Sequence, residues 1–379
     1  MTSPVHHESP AEPGNRPSVE RVTSAAPDGW ARARARSWWT GLALAVVLVA
    51  SAVLALTLGP ADITPADILG SARHHVANLL SFTGVTAPSD PLTRIQDAIV
   101  WQGRFPRVVA AIGIGAGLAL TGAVMQALLR NPLADPYLLG ISSGASVGAV
   151  AVLVLGVGVL LPVAAFAGAL LALAASLTLA GVVSGGRLTP GRTVLAGVAV
   201  AQACSAVTSF VIFTSVQGDS YREVLGWLMG TLGGATWRSA VIVWVALAVV
   251  GLVLLTSGRT LDAFAFGDTS AASLGIHVAR TRWILLGLVA LLVGAMVSVS
   301  GSIGFVGLVV PHAVRLLVGA RHVRVLPLAC ALGALVLLWA DTAARTVIEP
   351  RELPVGILTA AIGAPVFALL LARRRGGIA

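Results

Sequence analysis

Lysine is absent from this chain: all 25 basic residues among its 379 are arginine, and acidic residues number only 16. Charged side chains make up 11% of the sequence against 56% hydrophobic, less than half the ~25% charged fraction of a soluble domain. That balance excludes an ordinary soluble protein and leaves an all-α integral membrane chain. No helical His-Glu-x-x-His, no Gly-x-Ser-x-Gly and no Gly-rich phosphate loop ending in Gly-Lys-Ser/Thr occurs, so the motifs of zinc proteases, serine hydrolases and P-loop ATPases are missing. The acids fall in the amino-terminal tail, in loops or at the ends of apolar runs, with Asp341 the nearest to embedded. Charges at membrane depth are costly and are kept only for function. Their scarcity argues against a proton-coupled secondary transporter and against an intramembrane enzyme. No catalytic residue, metal site or bound cofactor is expected, and if the chain moves something against a gradient, the energy has to come from another subunit. The two cysteines, Cys204 and Cys330, each lie inside an apolar run and read as small buried side chains, not as a disulfide or metal pair.

What the chain does have is apolar runs rich in Gly and Ala, which let helix backbones approach closely in lipid. A span needs about twenty mostly apolar residues, and ten segments qualify: 38–58, 106–129, 138–160, 162–184, 193–215, 239–257, 281–300, 304–319, 325–343 and 354–372. The eighth is short. Beside it, Gly301-Ser302-Ile303-Gly304 predicts a broken helix, acceptable in a membrane only against protein or a cavity. Residues 1–30 read as a disordered cytoplasmic tail, in which His6 and His7 are solvated, and 31–379 as a single ten-span domain. The stretch from Arg104 to Val150 organises the rest: an apolar helix, the turn Asn131-Pro132-Leu133-Ala134-Asp135-Pro136, and a return into the same bilayer. Pro132 and Pro136 explain the break, since proline lacks the amide a helix interior needs and disfavours helix in the residue before it.

Arginine bias sets the orientation. With both termini cytoplasmic, the inside receives Arg16, Arg21, Arg32, Arg34, Arg36, Arg130, Arg187, Arg192, Arg259, Arg280, Arg282, Arg315, Arg321, Arg324, Arg373, Arg374 and Arg375, which is 17 of 25. Residues 59–105 are then an extracytoplasmic loop with short helical pieces, and Tyr221 to Gly230 an amphipathic helix at the outer surface, followed by a Gly233-Gly234 turn.

The cytoplasmic loop 259–281 reads as two short helices about Gly267-Asp268, the second closed by Gly275. Two readings stand: an interfacial loop anchored by Phe264 and Phe266, or a docking surface for a soluble partner. The polar residues within spans are neutral, namely Gln126, Ser142, Ser143, Gln202, Ser205, Ser209 and Thr214. They serve either helix-to-helix hydrogen bonds or the lining of a wide passage. His312, after Pro311, reads as a packing histidine beside a kink.

Several ordered motifs carry a family resemblance. Arg104-Phe105-Pro106-Arg107, Gly122-Ala123-Val124-Met125-Gln126-Ala127, the Asn131 to Pro136 turn, Gly140-Ile141-Ser142-Ser143-Gly144-Ala145 and Leu195-Ala196-Gly197-Val198-Ala199 are followed by Leu274-Gly275, Gly304-Phe305-Val306-Gly307 through Pro311-His312, and Glu352-Leu353-Pro354-Val355-Gly356. Over roughly 38–375 the chain resembles the permease subunits of bacterial importers for ferric siderophores, haem and vitamin B12, the FecCD-type (type II) ATP-binding-cassette importers. The resemblance implies ten spans per subunit in a permease dimer, homo- or heterodimeric. It also implies two cytoplasmic ATPases using ATP and Mg, and an extracytoplasmic substrate-binding protein. The expected setting is the bacterial plasma membrane, with lipid around the chain and no nucleic acid partner. The expected cargo is a ferric siderophore, with haem or vitamin B12 as the alternative, carried by alternating access. By the same resemblance, Arg104, Arg107 and Arg345 dock the binding protein. Phe266, Gly267, Asp268, Ser270, Ala271, Leu274 and Gly275 belong to the coupling helices that meet the ATPase. The gate or passage falls at Thr189, Pro190 and Gly191, in the turn starting at Leu188, and at Gln202.

Overall fold

Backbone polar groups in hydrocarbon have to be satisfied within the chain, and the molecule meets that demand with helices. The computed structural model describes residues 27–59, 63–81, 86, 89–183, 189–215, 220–348 and 351–375. Most of the tail expected over 1–30, and Leu188 of the expected gate turn, lie outside the described residues. In chain order the helices are α1 (Pro27–Thr57), α2 (Pro65–Leu79), α3 (Arg94–Leu128, with wider turns over Ala98–Arg104), α4 (Ile141–Leu153), α5 (Leu161–Val183), α6 (Pro190–Ser215) and α7 (Ser220–Leu228). Then come α8 (Trp237–Thr256), α9 (Gly258–Ala265), α10 (Asp268–Ser273), α11 (Val278–Ser300), α12 (Val306–Val318), α13 (His322–Thr346) and α14 (Val355–Arg375). Seven of these, in α1, α3, α5, α6, α8, α11 and α13, are long and apolar enough to cross a membrane, and α4, α12 and α14 are shorter apolar helices.

The bundle is built around α3, whose most apolar stretch is 89% buried. Glycine makes this position possible. A Cβ on Gly115 would stand 2.2 Å from the Gly333 carbonyl oxygen of α13, and one on Gly122 only 1.9 Å from that of Gly307 in α12. Backbone meets backbone there, the close approach that small residues permit in lipid. A similar contact joins α4 to α5, where Gly144 abuts the Gly168 carbonyl.

Two expected spans are interrupted. The third, expected over 138–160, is helical only through α4, which follows a 3-10 turn at Pro136–Leu139 and is succeeded by irregular chain containing Gly156. Gly140 and Gly156 take φ of +78° and +66°, conformations open to glycine and closed to most other residues. The eighth is broken where the glycines predict: Gly301 and Phe305 both have positive φ, and α12 starts only at Val306. The freed backbone finds partners in protein. Tyr137 donates its hydroxyl to the Ile303 carbonyl (3.1 Å) and accepts from the Ile303 N–H (3.3 Å), while Ser142 Oγ bonds Ser302 Oγ (2.9 Å). The turn leading there is fixed by Asn131 accepting from the Leu133 N–H and Asp135 from that of Tyr137, the local bonding typical of Asn and Asp in turns.

α7 packs into the bundle through Val224 and Trp227, both buried, and the Gly233-Gly234 turn follows it as expected. α2 and residues 89–104 lie at one end of the bundle, the near end, where Ile63, Ile68 and Val100 form a second core with Leu56, Val108 and Leu338. Thr64 caps α2, and its hydrogen bonds hold the Asp67 carboxyl below the usual carboxylate range. α9 and α10 lie beyond the other end of α3, the far end, against Arg130.

Candidate functional site

At the near end, α3 and α13 bring Arg104, Arg107 and Arg345 to the last turn of α1. A helix leaves its last carbonyls without partners and carries partial negative charge there, and two of the arginines supply both hydrogen bonds and charge. Arg104 Nη1 donates to the carbonyls of Leu56 (2.8 Å) and Thr57 (3.2 Å). Arg345 donates to those of Leu58 (3.2 Å) and Ala55.

Arg107 does something else. Its Nε lies 2.8 Å from Asp341 Oδ2 and its Nη2 3.0 Å from Oδ1, while Nη1 reaches Glu352 Oε2 at 2.7 Å. Arg107 and Asp341 are 8% and 1% exposed, so this is a buried ion pair, whereas half of the Glu352 side chain faces out. Asp341, expected to be the acid nearest to embedded, is buried close to the end of α13, and is tolerable there because a guanidinium neutralises it in two-point contact. Arg104 and Arg107 are buried and Arg345 half-buried, so none of the three stands free on the surface. Sequence reasoning did not place Asp341 and Glu352 in this group, although Glu352 opens the Glu352-Leu353-Pro354-Val355-Gly356 motif and Asp341 stands four residues before Arg345.

At the far end, α9 and α10 form a hairpin. Gly267 between them has φ +101° and Gly275 after them +82°, which fixes glycine at both turns. The hairpin is pinned from beneath. Leu261, Ala263, Phe264 and Ala271 are buried. Asp268 takes a bidentate contact from Arg282 of α11 (Nη2 to Oδ1 3.0 Å) and a longer one from Arg130 (3.6 Å), where α3 ends. Arg282 also lies 5.5 Å above the Phe264 ring, and Asp262 accepts from the His322 N–H (2.7 Å) at the start of α13. Ser270 is half-buried. What faces out is apolar: Phe266 is 80% and Leu274 70% exposed. The hairpin thus touches three long helices while presenting two large hydrophobic side chains to solvent.

The third group lies along α6. Thr189 and Gly191 are exposed where the helix opens at Pro190, and the Thr189 carbonyl accepts from both the N–H (3.0 Å) and hydroxyl (2.9 Å) of Thr193. Gln202, Ser205 and Ser209 recur three and four residues apart and all are exposed, so they share one face of the helix. Gln126, by contrast, is buried between helices, donating to the Gly307 and Leu308 carbonyls (3.3 and 3.1 Å) and accepting from Arg315. The neutral polar residues therefore divide between packing and an open face.

A family model, the FecCD transport family, matches residues 46–373. The chain is 39% identical over 372 residues to the cobalamin import system permease protein BtuC of Halobacterium salinarum, covering 91% of this chain and 98% of that one. It is 42% identical over 294 residues to the vitamin B12 import system permease protein BtuC of Citrobacter koseri, covering 76% and 87%. An uncharacterized ABC transporter permease protein of Bacillus subtilis, YvrB, is 43% identical over 304 residues, covering 78% and 84%. Among solved structures, an inward-facing metal-chelate type ABC transporter chain superposes with a TM-score of 0.74 at 30% identity over 88% of this chain and 98% of that one. The chain belongs to the FecCD transport family of ABC transporter permeases, as a multi-pass membrane subunit that is not itself catalytic.

Proposed function

We propose that the chain imports cobalamin, as half of a two-permease passage working by alternating access. The observation that carries this reading is the 39% identity to a cobalamin permease across 91% of the chain. It favours cobalamin over the ferric siderophore expected from the sequence. The open face of α6, bearing Gln202, Ser205 and Ser209, supports it: neutral side chains suit a bulky cargo selected elsewhere. Ferric siderophore stays as the second reading, favoured by the likeness to a metal-chelate type transporter.

An ABC permease implies an ATPase and a binding protein as partners. In this reading the seven long and three shorter apolar helices make ten crossings, the near end is extracytoplasmic, and both termini are cytoplasmic, in accord with the arginine bias. The α9–α10 hairpin seats in the ATPase through Phe266 and Leu274, and its motion reaches α3, α11 and α13 through Arg130, Arg282 and His322. Thr189, Pro190 and Gly191 form a backbone constriction at the cytoplasmic mouth. Docking of the binding protein at the near end has to work through Arg107 as the chain holds it: an incoming carboxylate competes with the half-exposed Glu352, and Arg104 and Arg345 add positive potential while capping α1. A proton-coupled mechanism finds no support, because the buried carboxylate of Asp341 is already paired with Arg107.

The test is uptake of radiolabelled cobalamin, ferric siderophore and haem by cells with the chain present or deleted. Loss of cobalamin uptake alone supports the reading; loss of ferric siderophore uptake alone replaces the cargo and leaves the permease.

A further inference from the structure

At the near end, three side chains that play no part in that function converge. His75 of α2 places Nε2 2.8 Å from Asp97 Oδ1 at the start of α3 and 3.9 Å from Asp90 Oδ2 in the preceding loop, and the three donor atoms all lie within 4.8 Å of one another. We propose that His75, Asp90 and Asp97 bind a first-row divalent metal ion of the zinc class and clip α2 to the start of α3.

Four features favour a metal over a plain hydrogen-bonded histidine. Two carboxylates face one imidazole, so a single ring proton cannot serve both, whereas a divalent ion neutralises the pair. Each carboxylate is held in place by a further donor: the Leu92 N–H donates to Asp90 Oδ1 (3.0 Å), the oxygen turned away from His75, and Ser71 donates its hydroxyl to Asp97 Oδ1 (3.1 Å), the oxygen that faces His75; metal-binding carboxylates commonly have such partners. The imidazole is fixed as well, stacked on Trp101 with centroids 4.0 Å apart and planes 7° from parallel. The side chains are 19–26% exposed, which leaves an approach for the ion and room for water as a fourth ligand.

The distances suit zinc. Bonds of about 2.1 Å in tetrahedral geometry put donor atoms roughly 3.4 Å apart, so the 2.8 Å contact opens and the 3.9 Å contact closes by about half an ångström each. One imidazole with two carboxylates fits zinc and its neighbours better than magnesium or calcium, which take all-oxygen sets. The clip would act on more than α2. Trp101 packs on Trp237 (5.1 Å) and Phe105 (5.2 Å), and the Trp237 indole donates to the Trp101 carbonyl (2.8 Å), so a metal at His75 steadies the chain next to Arg104.

The experiment is titration of the purified full chain, without a polyhistidine tag and stripped with chelator, using zinc by calorimetry and cobalt by visible absorption. The wild type is expected to take up one equivalent of cobalt with the intense bands of a tetrahedral ion. His75→Gln keeps a hydrogen-bonding side chain toward Asp97, and is expected to lose that spectrum and the matching zinc equivalent. Asp90→Asn, in a loop, is expected to weaken zinc by about ten-fold or more, at least the loss that a supporting partner alone causes. Equal zinc binding by wild type and both variants, a cobalt spectrum unchanged by His75→Gln, or no uptake by the folded wild type would each overturn the proposal.

Discussion

Arg107 and Asp341, 234 residues apart in sequence, meet in a buried two-point ion pair that ties α3 to α13. Such a pair gives little net stability over a well-packed apolar replacement, because desolvation offsets the attraction. Breaking it is another matter. Arg107→Ala leaves Asp341 charged and buried, and is expected to cost about 3–5 kcal/mol, seen as a collapse of thermal stability in detergent. The double substitution Arg107→Met/Asp341→Leu should recover most of that loss. A double variant no more stable than Arg107→Ala would show that the pair is not what makes the single change costly.

Capping of α1 makes a separate prediction at Arg345. Arg345→Gln keeps donors for the Ala55 and Leu58 carbonyls, and should hold stability within about 1 kcal/mol, while Arg345→Ala leaves them unpaired at a cost of about 1–3 kcal/mol. Uptake per folded chain should fall in both, because both lose the positive potential at the docking end. Unchanged uptake per folded chain in Arg345→Gln would confine Arg345 to capping α1.

The hairpin predicts the opposite pattern. Phe266 and Leu274 contribute little to the fold, so Phe266→Ser/Leu274→Ser should change stability by no more than about 0.5 kcal/mol per site. Co-purification with the ATPase should nonetheless fall sharply. Retained ATPase in this variant would take the contact away from these side chains.

Gly122→Ala tests the packing around α3. The added methyl would stand 1.9 Å from a backbone oxygen, which no rotamer relieves, so α12 has to move and the cost should exceed the roughly 1–3 kcal/mol of ordinary overpacking. Gly181→Ala, with nothing within 4 Å, is the control and should be neutral. The readout is the melting temperature of the two variants side by side.

Some of this was legible in the sequence and some was not. The apolar run at 106–129 became the core of α3, and Gly301 to Gly304 marked the break before α12, because length, hydropathy and glycine act locally. The third span is shorter than the expected 138–160, ending at Leu153: Gly156 and Gly158 sit in an apolar run that composition alone reads as helix. The roles of the near-end arginines were not legible, since a charge at a span end looks the same whether it meets a partner protein, a helix terminus or an acid 234 residues away. The His75, Asp90 and Asp97 group escaped for a similar reason. Its spacings match no metal motif, and only the folding of α2 against α3 brings the three together. The two-helix form of the hairpin within 259–281 was legible, because glycine turns and short helices announce themselves locally.

The most direct test of the central claim is transport into proteoliposomes holding the chain with its ATPase and binding protein. Cobalamin is expected to accumulate only when ATP is supplied, at a rate that collapsing the proton gradient leaves unchanged. Accumulation driven by a proton gradient without ATP would contradict the claim.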